Sequence, residues 1–274
     1  MDESRNALQP RRWHPSALLR MSAAAHLGAA ATVVLQPAWW PWVVGGLLAD
    51  HALMTGAGLW PRSRLLGPNW VRLPAAAVAQ RQVAITIDDG PEPDVTPRLL
   101  DILDEHRASA SFFCIGERVA DHPQLAREIL RRGHHIENHS LRHRLYFSAM
   151  GPAGVRAEVQ RAQQLIESVT GVLPRFFRAP AGLRNPFLEP VLASAGLQLA
   201  SWTRRGFDTV RGEPAQVLAS LVRGLAPGDI LLLHDGHAAQ TPAGEPVAVA
   251  VLPQLLAAVE RAGLRTVTLQ GAAC

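Results

Sequence analysis

The feature that most restricts the fold of this chain is a long apolar segment near its N-terminus. From Met21 to Pro61 there is no Arg, Lys or Glu, and Asp50 is the only acidic residue. This length exceeds the roughly 20 residues that one transmembrane helix requires. Two prolines and three tryptophans lie within 36–42, where they would break a helix and suit the headgroup region of a bilayer. We therefore expect a transmembrane helical hairpin over 21–61.

Arginines flank the apolar segment on both sides. They are Arg5, Arg11, Arg12 and Arg20 in a basic tail over 1–20, and Arg62, Arg64, Arg72 and Arg81 after the segment. Since the expected turn is uncharged, the positive-inside rule predicts that both flanks lie on the cytoplasmic face of the inner membrane. A single anchor, which would export the rest of the chain, is the alternative. A cleavable signal peptide fits less well, because the basic and apolar parts are both too long.

Asp50 and His51 fall within the expected second helix. An ionisable pair is costly within a bilayer unless it faces protein or water. The pair therefore indicates either a functional role or a helix that lies in the membrane interface.

After a linker over 62–81, the chain alternates short apolar runs with helical patterns over 82–274. Strands are expected at 83–87, 109–115, 134–137, 176–177, 197–202, 230–233 and 266–269. Helices are expected at 96–106, 122–132, 154–170, 186–195, 214–225 and 246–262. This order predicts one α/β domain, with a parallel sheet or a barrel covered by helices. Barrel strands carry chemistry at their carboxyl ends, and Asp88, Arg178 and His234 each directly follow an expected strand.

The composition of the chain restricts the kinds of molecule that it is expected to bind. The formal charge is +4, but the arginines are scattered and no helix-turn-helix, zinc-finger or aromatic RNA-binding pattern is present, so we expect no nucleic-acid partner. Membrane lipid headgroups or a phosphate-bearing substrate are better electrostatic partners. The two cysteines, Cys114 and Cys274, imply no disulfide framework.

Two groups of polar residues have the composition of a metal or acid–base site. Asp88 and Asp89 are adjacent carboxylates, which repel each other unless a cation or a base role separates them; a solvated turn is the alternative. His139 and His143 are four apart, so on a helical turn both imidazoles lie on one face, as a metal pair requires. The chain contains eleven histidines, which makes a chance pair common. Neither group alone identifies a site.

Five separated blocks over 82–269 resemble the NodB-homology polysaccharide deacetylases, carbohydrate esterase family 4. In chain order they read TIDDGP at 86–91, HSLRH at 139–143, RAPAG at 178–182, WTRRGFD at 202–208 and LLLHD at 231–235. The resemblance implies that 82–274 is a catalytic domain, a distorted (β/α) barrel with fewer strands than the eight of a full one. It also implies a hydrolase of non-peptide carbon–nitrogen bonds, which removes the N-acetyl group from an amino sugar.

The resemblance assigns metal binding and proton transfer to particular residues. Asp89, His139 and His143 are the implied ligands of a divalent metal, with zinc as the expected ion, and they leave positions open for water and substrate. Asp88 resembles the general base that takes a proton from the attacking water. His234 resembles the general acid that protonates the departing amine.

Two further residues are expected to orient these groups. Arg178 resembles the side chain that holds Asp88 in place. The fourth block lacks the Asp-Trp pair usual in the family, so we predict that Asp208 supplies the carboxylate that orients His234 and raises its basicity.

Three residues are expected to contact the substrate. The backbone N–H of Ala181 is implied to hold the oxyanion, Leu232 to line the pocket for the acetyl methyl group, and Trp202 to belong to the sugar-facing wall. Ala181 stands where the family more often has an aromatic residue. Because the third and fourth blocks shape this wall, their departures from the family pattern affect the choice of substrate more than the chemistry.

Membrane topology separates the candidate substrates. A cytoplasmic domain predicts an N-acetylated lipid-linked sugar, such as a polyprenyl-phosphate N-acetylhexosamine, and in this the chain resembles enzymes of lipid A modification. An exported domain on a single anchor predicts peptidoglycan or an exopolysaccharide. The same residues would also serve an ester hydrolase, and a domain of this fold without its metal would be a non-catalytic sugar-binding module.

Overall fold

A computed structural model describes residues 11–273 of the chain. Residues 1–10 of the predicted basic tail, with Arg5, and the terminal Cys274 lie outside the described residues. The described part consists of a helical hairpin followed by a barrel of parallel strands.

The N-terminal apolar segment forms two helices that pack side by side. Helix α1 spans Ala17–Leu35, a 3₁₀ turn spans Pro37–Trp39, and helix α2 spans Trp40–Leu59. The Ser16 hydroxyl caps α1 by accepting a hydrogen bond from Leu19 N at 3.3 Å. The predicted hairpin is therefore present, whereas its transmembrane character stays a prediction. Within residues 11–273, α1 is the helix whose length and composition suffice to cross a membrane.

The ionisable pair of α2 lies against α1. Asp50 Oδ2 accepts a hydrogen bond from Ser22 Oγ at 2.7 Å, and His26 Nδ1 lies 3.9 Å from the same oxygen. The ring centroids of His26 and His51 are 5.2 Å apart. Asp50 thus contacts protein, which is the condition for an ionisable group within a bilayer. Most large apolar side chains of the hairpin are, by contrast, exposed.

The open end of the hairpin is fixed to the domain that follows it. Leu18 and Ala57 pack on Leu66, and Arg184 N donates a hydrogen bond to the Gly58 carbonyl at 3.0 Å. A Cβ atom at Gly58 would lie 2.2 Å from the Arg184 carbonyl oxygen, so this close approach requires glycine. The tryptophan-rich turn of the hairpin is at the opposite end from the domain.

The rest of the chain contains short strands that all pair in parallel. They are β1 Gln82–Asp88, β2 Ala110–Cys114, β3 His135–Asn138, β4 Phe176–Phe177, β5 Gln198–Leu199, β6 Arg204–Arg205, β7 Ile230–His234 and β8 Arg265–Thr266. The ladder runs in the order β5-β4-β3-β2-β1-β7-β6, and β8 pairs only with the start of β1. No ladder in the described part of the chain joins β5 to β6. The distorted parallel barrel, with a main ladder shorter than eight strands, is therefore confirmed.

Helices connect the strands and cover the barrel. They are α3 Ala75–Ala79, α4 Thr96–Glu105, α5 Gly116–Asp121, α6 Pro123–Arg131, α7 Pro152–Thr170, α8 Leu188–Ser194, α9 Pro214–Val222, α10 Val247–Arg261 and α11 Leu269–Ala272. Two 3₁₀ turns lie at Phe147–Ala149 and Pro180–Gly182. Residues 62–81 pack against the barrel, where Trp70 N donates a hydrogen bond to Leu199 O at 2.8 Å.

Some predicted boundaries are wrong. The expected helix over 122–132 is present as α6, but the short helix α5 before it was not predicted; Pro123, which has no N–H to donate, separates the two. The expected strand over 266–269 pairs only at its start, because Thr268 caps α11 by accepting a hydrogen bond from Gly271 N at 3.0 Å. The strand expected over 197–202 is limited to β5, and β6 was not predicted.

The pleat of β1 separates the hydrophobic core from the barrel interior. Ile85 and Ile87 point to one face of β1 and pack with apolar side chains of α4 and α10. Asp88 alternates with them and so points to the other face. In the parallel register, Asp88 lies beside His234 at the end of β7. The two polar residues therefore meet at the carboxyl end of the barrel.

Glu137, a fully buried residue of β3, gives a testable prediction about stability. Its carboxylate accepts hydrogen bonds from the backbone N–H groups of Arg175 and Phe176 and from Gln270, but burial raises its pKa to about 7. Because the folded-state pKa is raised, its contribution to stability is full below about pH 4.5 and is lost as the pH rises toward 7. In Glu137→Gln this loss is absent.

We therefore expect the unfolding free energy of Glu137→Gln to rise relative to that of the unmodified protein by about 2–3 kcal/mol between pH 5 and pH 8. Denaturant unfolding in detergent across this range measures the difference. A difference that stays constant with pH contradicts the prediction.

Candidate active site

A pocket of about 230 Å³ lies at the carboxyl ends of the strands. Eight of the ten residues predicted for the site line it: Asp88, Asp89, His139, His143, Ala181, Trp202, Leu232 and His234. The other two, Arg178 and Asp208, lie behind the pocket wall and contact Asp88 and His234 respectively.

The Asp89, His139 and His143 side chains converge on one point. Asp89 Oδ1 lies 3.2 Å from His139 Nε2 and 3.3 Å from His143 Nε2, and one donor atom from each side chain lies within 4.8 Å of the others. Asp89 Oδ1 is buried without a hydrogen-bond partner in the described residues. One carboxylate oxygen and two imidazole nitrogens are a donor set that suits a divalent transition metal such as zinc. The residues therefore fit the ion that the sequence predicts.

Two of the three side chains, His143 and Asp89, are held in the protonation state that a metal ligand requires, whereas the charges of Asp88 and Asp89 outweigh burial and raise the pKa of His139. His139 Nδ1 donates a hydrogen bond to the Arg178 carbonyl at 2.8 Å, which leaves Nε2 unprotonated in the neutral ring. Burial and the neighbouring His139 lower the pKa of His143 to about 4, so this ring is neutral at pH 7. Burial opposes the ionisation of Asp89, but the adjacent His139 and His237 imidazoles hold its pKa below its ordinary range.

The predicted helical turn at 139–143 is wrong, although the two imidazoles do meet. After β3 the chain forms a tight turn in which Ser140 and His143 have φ values of 67° and 51°. Asn138 Oδ1 accepts a hydrogen bond from Ser140 N at 2.9 Å, and Ser140 Oγ accepts one from His143 N at 3.0 Å. These side chains stabilise a left-handed backbone that non-glycine residues rarely adopt.

Strained backbone is concentrated at this pocket. Asp89, His143, Ala181 and His237 line it, and all four have positive φ between 51° and 79°. Such conformations persist where the surrounding structure determines them, and they cluster at functional sites. Gly90 is required at this site for a steric reason: a Cβ atom there would lie 2.2 Å from a carboxylate oxygen of Asp235.

Asp88 is held by a buried guanidinium. Arg178 Nη1 donates hydrogen bonds to Asp88 Oδ1 at 2.5 Å and to Thr86 Oγ1 at 3.0 Å, and its Nη2 donates to the Ser201 carbonyl at 2.9 Å. The guanidinium carbon also lies 4.0 Å from the Phe113 ring centroid. The other carboxylate oxygen, Asp88 Oδ2, lies 3.8 Å from Nε2 of the predicted metal ligand His139. Arg178 therefore fixes the rotamer of Asp88.

His234 is held in the same way by Asp208. Asp208 is fully buried; its Oδ1 accepts from His234 Nδ1 at 2.9 Å and its Oδ2 accepts from His234 N at 2.7 Å. Burial by itself lowers the pKa of His234, but the hydrogen bond and charge of Asp208 outweigh it and raise the pKa above its usual value. With Nδ1 occupied, Nε2 is the nitrogen available for proton transfer.

Asp208→Asn is expected to shift the pH dependence of turnover. Without the carboxylate the pKa of His234 falls, so the protonated imidazole is lost at lower pH and the alkaline limb of the kcat profile moves down the pH scale. We also expect kcat to fall by about 10–100-fold at neutral pH. The control is Asp121→Asn, an exposed aspartate at the end of α5. An unchanged alkaline limb contradicts the positioning role of Asp208.

Two ionisable residues that line the pocket, His237 and Arg205, were not predicted from the sequence. His237 Nδ1 lies 3.2 Å from Asp89 Oδ2, on a loop after β7, and Arg205 belongs to the unpredicted β6. His237 follows the LLLHD block by two residues, which was the available signal. Arg205 has no such signal, because scattered arginines are common in this chain.

Comparisons with known proteins agree with this geometry. Residues 75–200 match the family model described as polysaccharide deacetylase. The chain is 39% identical over 166 residues to a chitooligosaccharide deacetylase of Bradyrhizobium sp. (strain ANU 289), covering 60% of this chain and 74% of the relative. It is 34% identical over 191 residues to a peptidoglycan-N-acetylglucosamine deacetylase of Bacillus cereus, covering 69% and 86%. A solved family 4 carbohydrate esterase from Streptomyces lividans, in complex with acetate, superposes with a TM-score of 0.61 at 29% identity over 68% of this chain and 91% of that one.

A parallel barrel that carries a candidate two-histidine, one-carboxylate metal site at the carboxyl ends of its strands is an arrangement expected of a metal-assisted hydrolase. Together with the sequence and structural matches, it shows that the chain belongs to the polysaccharide deacetylase family, carbohydrate esterase family 4. The relatives named as deacetylases are hydrolases acting on carbon–nitrogen bonds, and the predicted family and enzyme class are confirmed.

Proposed function

We propose that the protein hydrolyses the N-acetyl group of an N-acetylated amino sugar. The observation that supports this most is the arrangement of two carboxylate–cation pairs, Asp88 with Arg178 and His234 with Asp208, around one pocket that also contains three converging metal ligands. Hydrolysis of an amide needs one group that accepts a proton from water and another that donates a proton to the amine. The two pairs supply these groups.

In this proposal Asp89, His139 and His143 hold a divalent ion, with zinc as the best match to the donor set. When bound, the ion supplies Lewis-acid polarisation of the acetamide carbonyl and lowers the pKa of water at the site. The open side of the three ligands faces the pocket, where the substrate must lie.

The remaining steps belong to residues of the chain. Asp88, oriented by Arg178, takes a proton from the water that attacks the carbonyl carbon. The backbone N–H of Ala181 stabilises the oxygen that becomes negative, and Leu232 contacts the acetyl methyl group. His234 then donates its proton to the nitrogen as the carbon–nitrogen bond breaks. The products are acetate and a free amino sugar.

The proposed substrate is a polyprenyl-phosphate-linked N-acetylhexosamine that is deacetylated at the cytoplasmic face of the inner membrane. Three features support it: the arginines on both sides of the hairpin, the exposed apolar side chains between them, and the attachment of the open end of the hairpin to the barrel. Together they favour a hairpin that crosses the membrane and returns. The membrane lipid is then a partner of the hairpin.

The second candidate is an exported deacetylase of peptidoglycan or an exopolysaccharide on a single anchor. It is favoured by the finding that α1 is the one helix of residues 11–273 with the length and composition of a membrane span. The curated relatives are named for chitooligosaccharide and peptidoglycan substrates. In that case Trp202, at the pocket wall, would contact a polymeric sugar.

Acetate release from three substrates distinguishes the two candidates. The full-length protein, purified in detergent and loaded with zinc, is given polyprenyl-phosphate N-acetylhexosamine, chitooligosaccharide and peptidoglycan, with Asp89→Ala as the blank. We expect release from the lipid-linked sugar. Release from the polymers alone would support the exported deacetylase. If neither the unmodified protein nor Asp89→Ala released acetate from any of the substrates, the result would support a non-catalytic sugar-binding module.

A further inference from the structure

A second cavity, of about 600 Å³, adjoins the active-site pocket. The two cavities share Trp202 and Arg205 in their walls. We call the second cavity the arginine groove, because its described lining contains no acidic residue and five arginines: Arg62, Arg204, Arg205, Arg211 and Arg223. A concave surface of one charge sign focuses the electrostatic potential and attracts an oppositely charged ligand.

Most of this positive charge is not neutralised by the protein. Arg204 is the exception, since its Nε donates to Asp229 Oδ2 at 2.5 Å. In the described part of the chain, the other four arginines of the groove have no carboxylate within 4.0 Å. Arg205 Nε is in addition buried without a hydrogen-bond partner in the described residues. A buried guanidinium donor without an acceptor is costly, and an anionic oxygen would satisfy it.

Aromatic rings hold two of the five arginines of the groove in place. The guanidinium carbon of Arg205 lies 5.6 Å from the Trp202 ring centroid and 5.1 Å from that of Phe207. The guanidinium carbon of Arg211 lies 5.0 Å from the Phe207 centroid. Cation–π contacts of this kind fix guanidinium groups and leave their N–H donors available. These two guanidinium groups are therefore oriented before a ligand binds.

The groove extends from the active-site pocket to the end of the hairpin. Trp60 and Pro61, which also line the groove, directly follow the last residue of α2. A ligand with its acetamide in the active-site pocket would thus place its next group beside Arg205 and extend toward the hairpin.

We propose that the arginine groove binds a phosphate attached to the amino sugar, so that the substrate class is a glycosyl phosphate rather than a neutral oligosaccharide. Guanidinium groups match the geometry of phosphate oxygens and bind them through charge-assisted hydrogen bonds. This inference rests on the proposed function, because it assumes that the sugar lies in the active-site pocket. The affinity for phosphate can nevertheless be measured by binding alone, without turnover. The phosphate could be that of a lipid-linked sugar or of a soluble sugar phosphate.

Ligand binding to the full-length protein in detergent tests the proposal. The probes are N-acetylglucosamine 1-phosphate, a prenyl-phosphate N-acetylglucosamine with a short prenyl chain, and a neutral alkyl N-acetylglucosaminide, each titrated calorimetrically. We expect both phosphate-bearing probes to bind at least about 10-fold more tightly than the neutral one, with a preference that weakens as salt is added. Tighter binding of the prenyl probe indicates the lipid-linked source, and equal binding of the two phosphate probes indicates the soluble source.

Variants locate the effect in the groove. Arg205→Gln is expected to reduce the phosphate preference about 10-fold or more, and Arg211→Gln, which is farther from the active-site pocket, to reduce it as well. Arg161→Gln removes an exposed arginine from α7 and should retain the full preference. Equal binding of phosphate-bearing and neutral probes, or a preference that both groove variants retain, overturns the proposal. A phosphate preference without acetate release would instead count against the proposed deacetylase function.

Discussion

Replacement of Asp88 by Asn is expected to lower kcat by about 10²–10⁴-fold, while the protein still binds one divalent ion. An amide cannot take a proton from water at neutral pH, but it retains an oxygen that can accept the hydrogen bond from Arg178 Nη1. The proposed metal ligands are unchanged in this variant. Turnover of an N-acetylated sugar and the metal content of the purified protein are the two measurements.

A matched variant separates this effect from a general loss of charge. Asp94→Asn changes an exposed aspartate in the turn before α4 and should behave as the unmodified protein. Because Asp88→Asn leaves the buried Arg178 without its counter-charge, thermal unfolding should be recorded as well. A folded, metal-containing Asp88→Asn that keeps more than about a tenth of the original kcat contradicts the general-base assignment.

His139→Ala is expected to have the second large effect, on metal content and activity together. The variant loses one of the two proposed imidazole ligands, and with it the ring whose Nε2 lies 3.2 Å from Asp89 Oδ1. We expect metal content to fall well below one ion per chain, and kcat/KM to fall by at least about 10³-fold, since both polarisation of the substrate and activation of water are lost.

The control for this prediction is His106→Ala, an exposed histidine at the end of α4 that has no role in the site. Circular dichroism should show that both variants keep the fold. If His139→Ala retained a full complement of metal and its activity, the ligand set would have to be reassigned.

The barrel could be predicted because its hydrophobic pattern is local. The residues of β1 and β7 are almost continuously apolar, as expected for strands covered on both faces, and proline or glycine separates many of the elements. The position of the site followed from the same reasoning, because parallel strands bring their carboxyl ends to one edge. Asp88 and His234 therefore meet although they are far apart in the sequence.

Features determined by backbone turns and tertiary contacts could not be predicted in this way. The turn at Ser140 depends on two side-chain hydrogen bonds, whereas the spacing of the two histidines suggests a helix. The two-residue strand β6 has no alternating pattern and exists because it pairs with β7. The arginine groove combines residues from three separate parts of the chain, so that only the fold brings Arg62, Arg205 and Arg211 together.

The most direct test of the central claim is to measure acetate and new primary amine together during turnover in ¹⁸O-labelled water. The protein is first treated with a chelator and then assayed with and without added zinc, on the N-acetylated sugar that gives the fastest acetate release. Metal-dependent hydrolysis predicts one amine per acetate, one ¹⁸O atom in each acetate, and no turnover before the metal is restored. Acetate without amine would show that an ester is cleaved instead, and undiminished turnover after chelation would contradict the role of the metal.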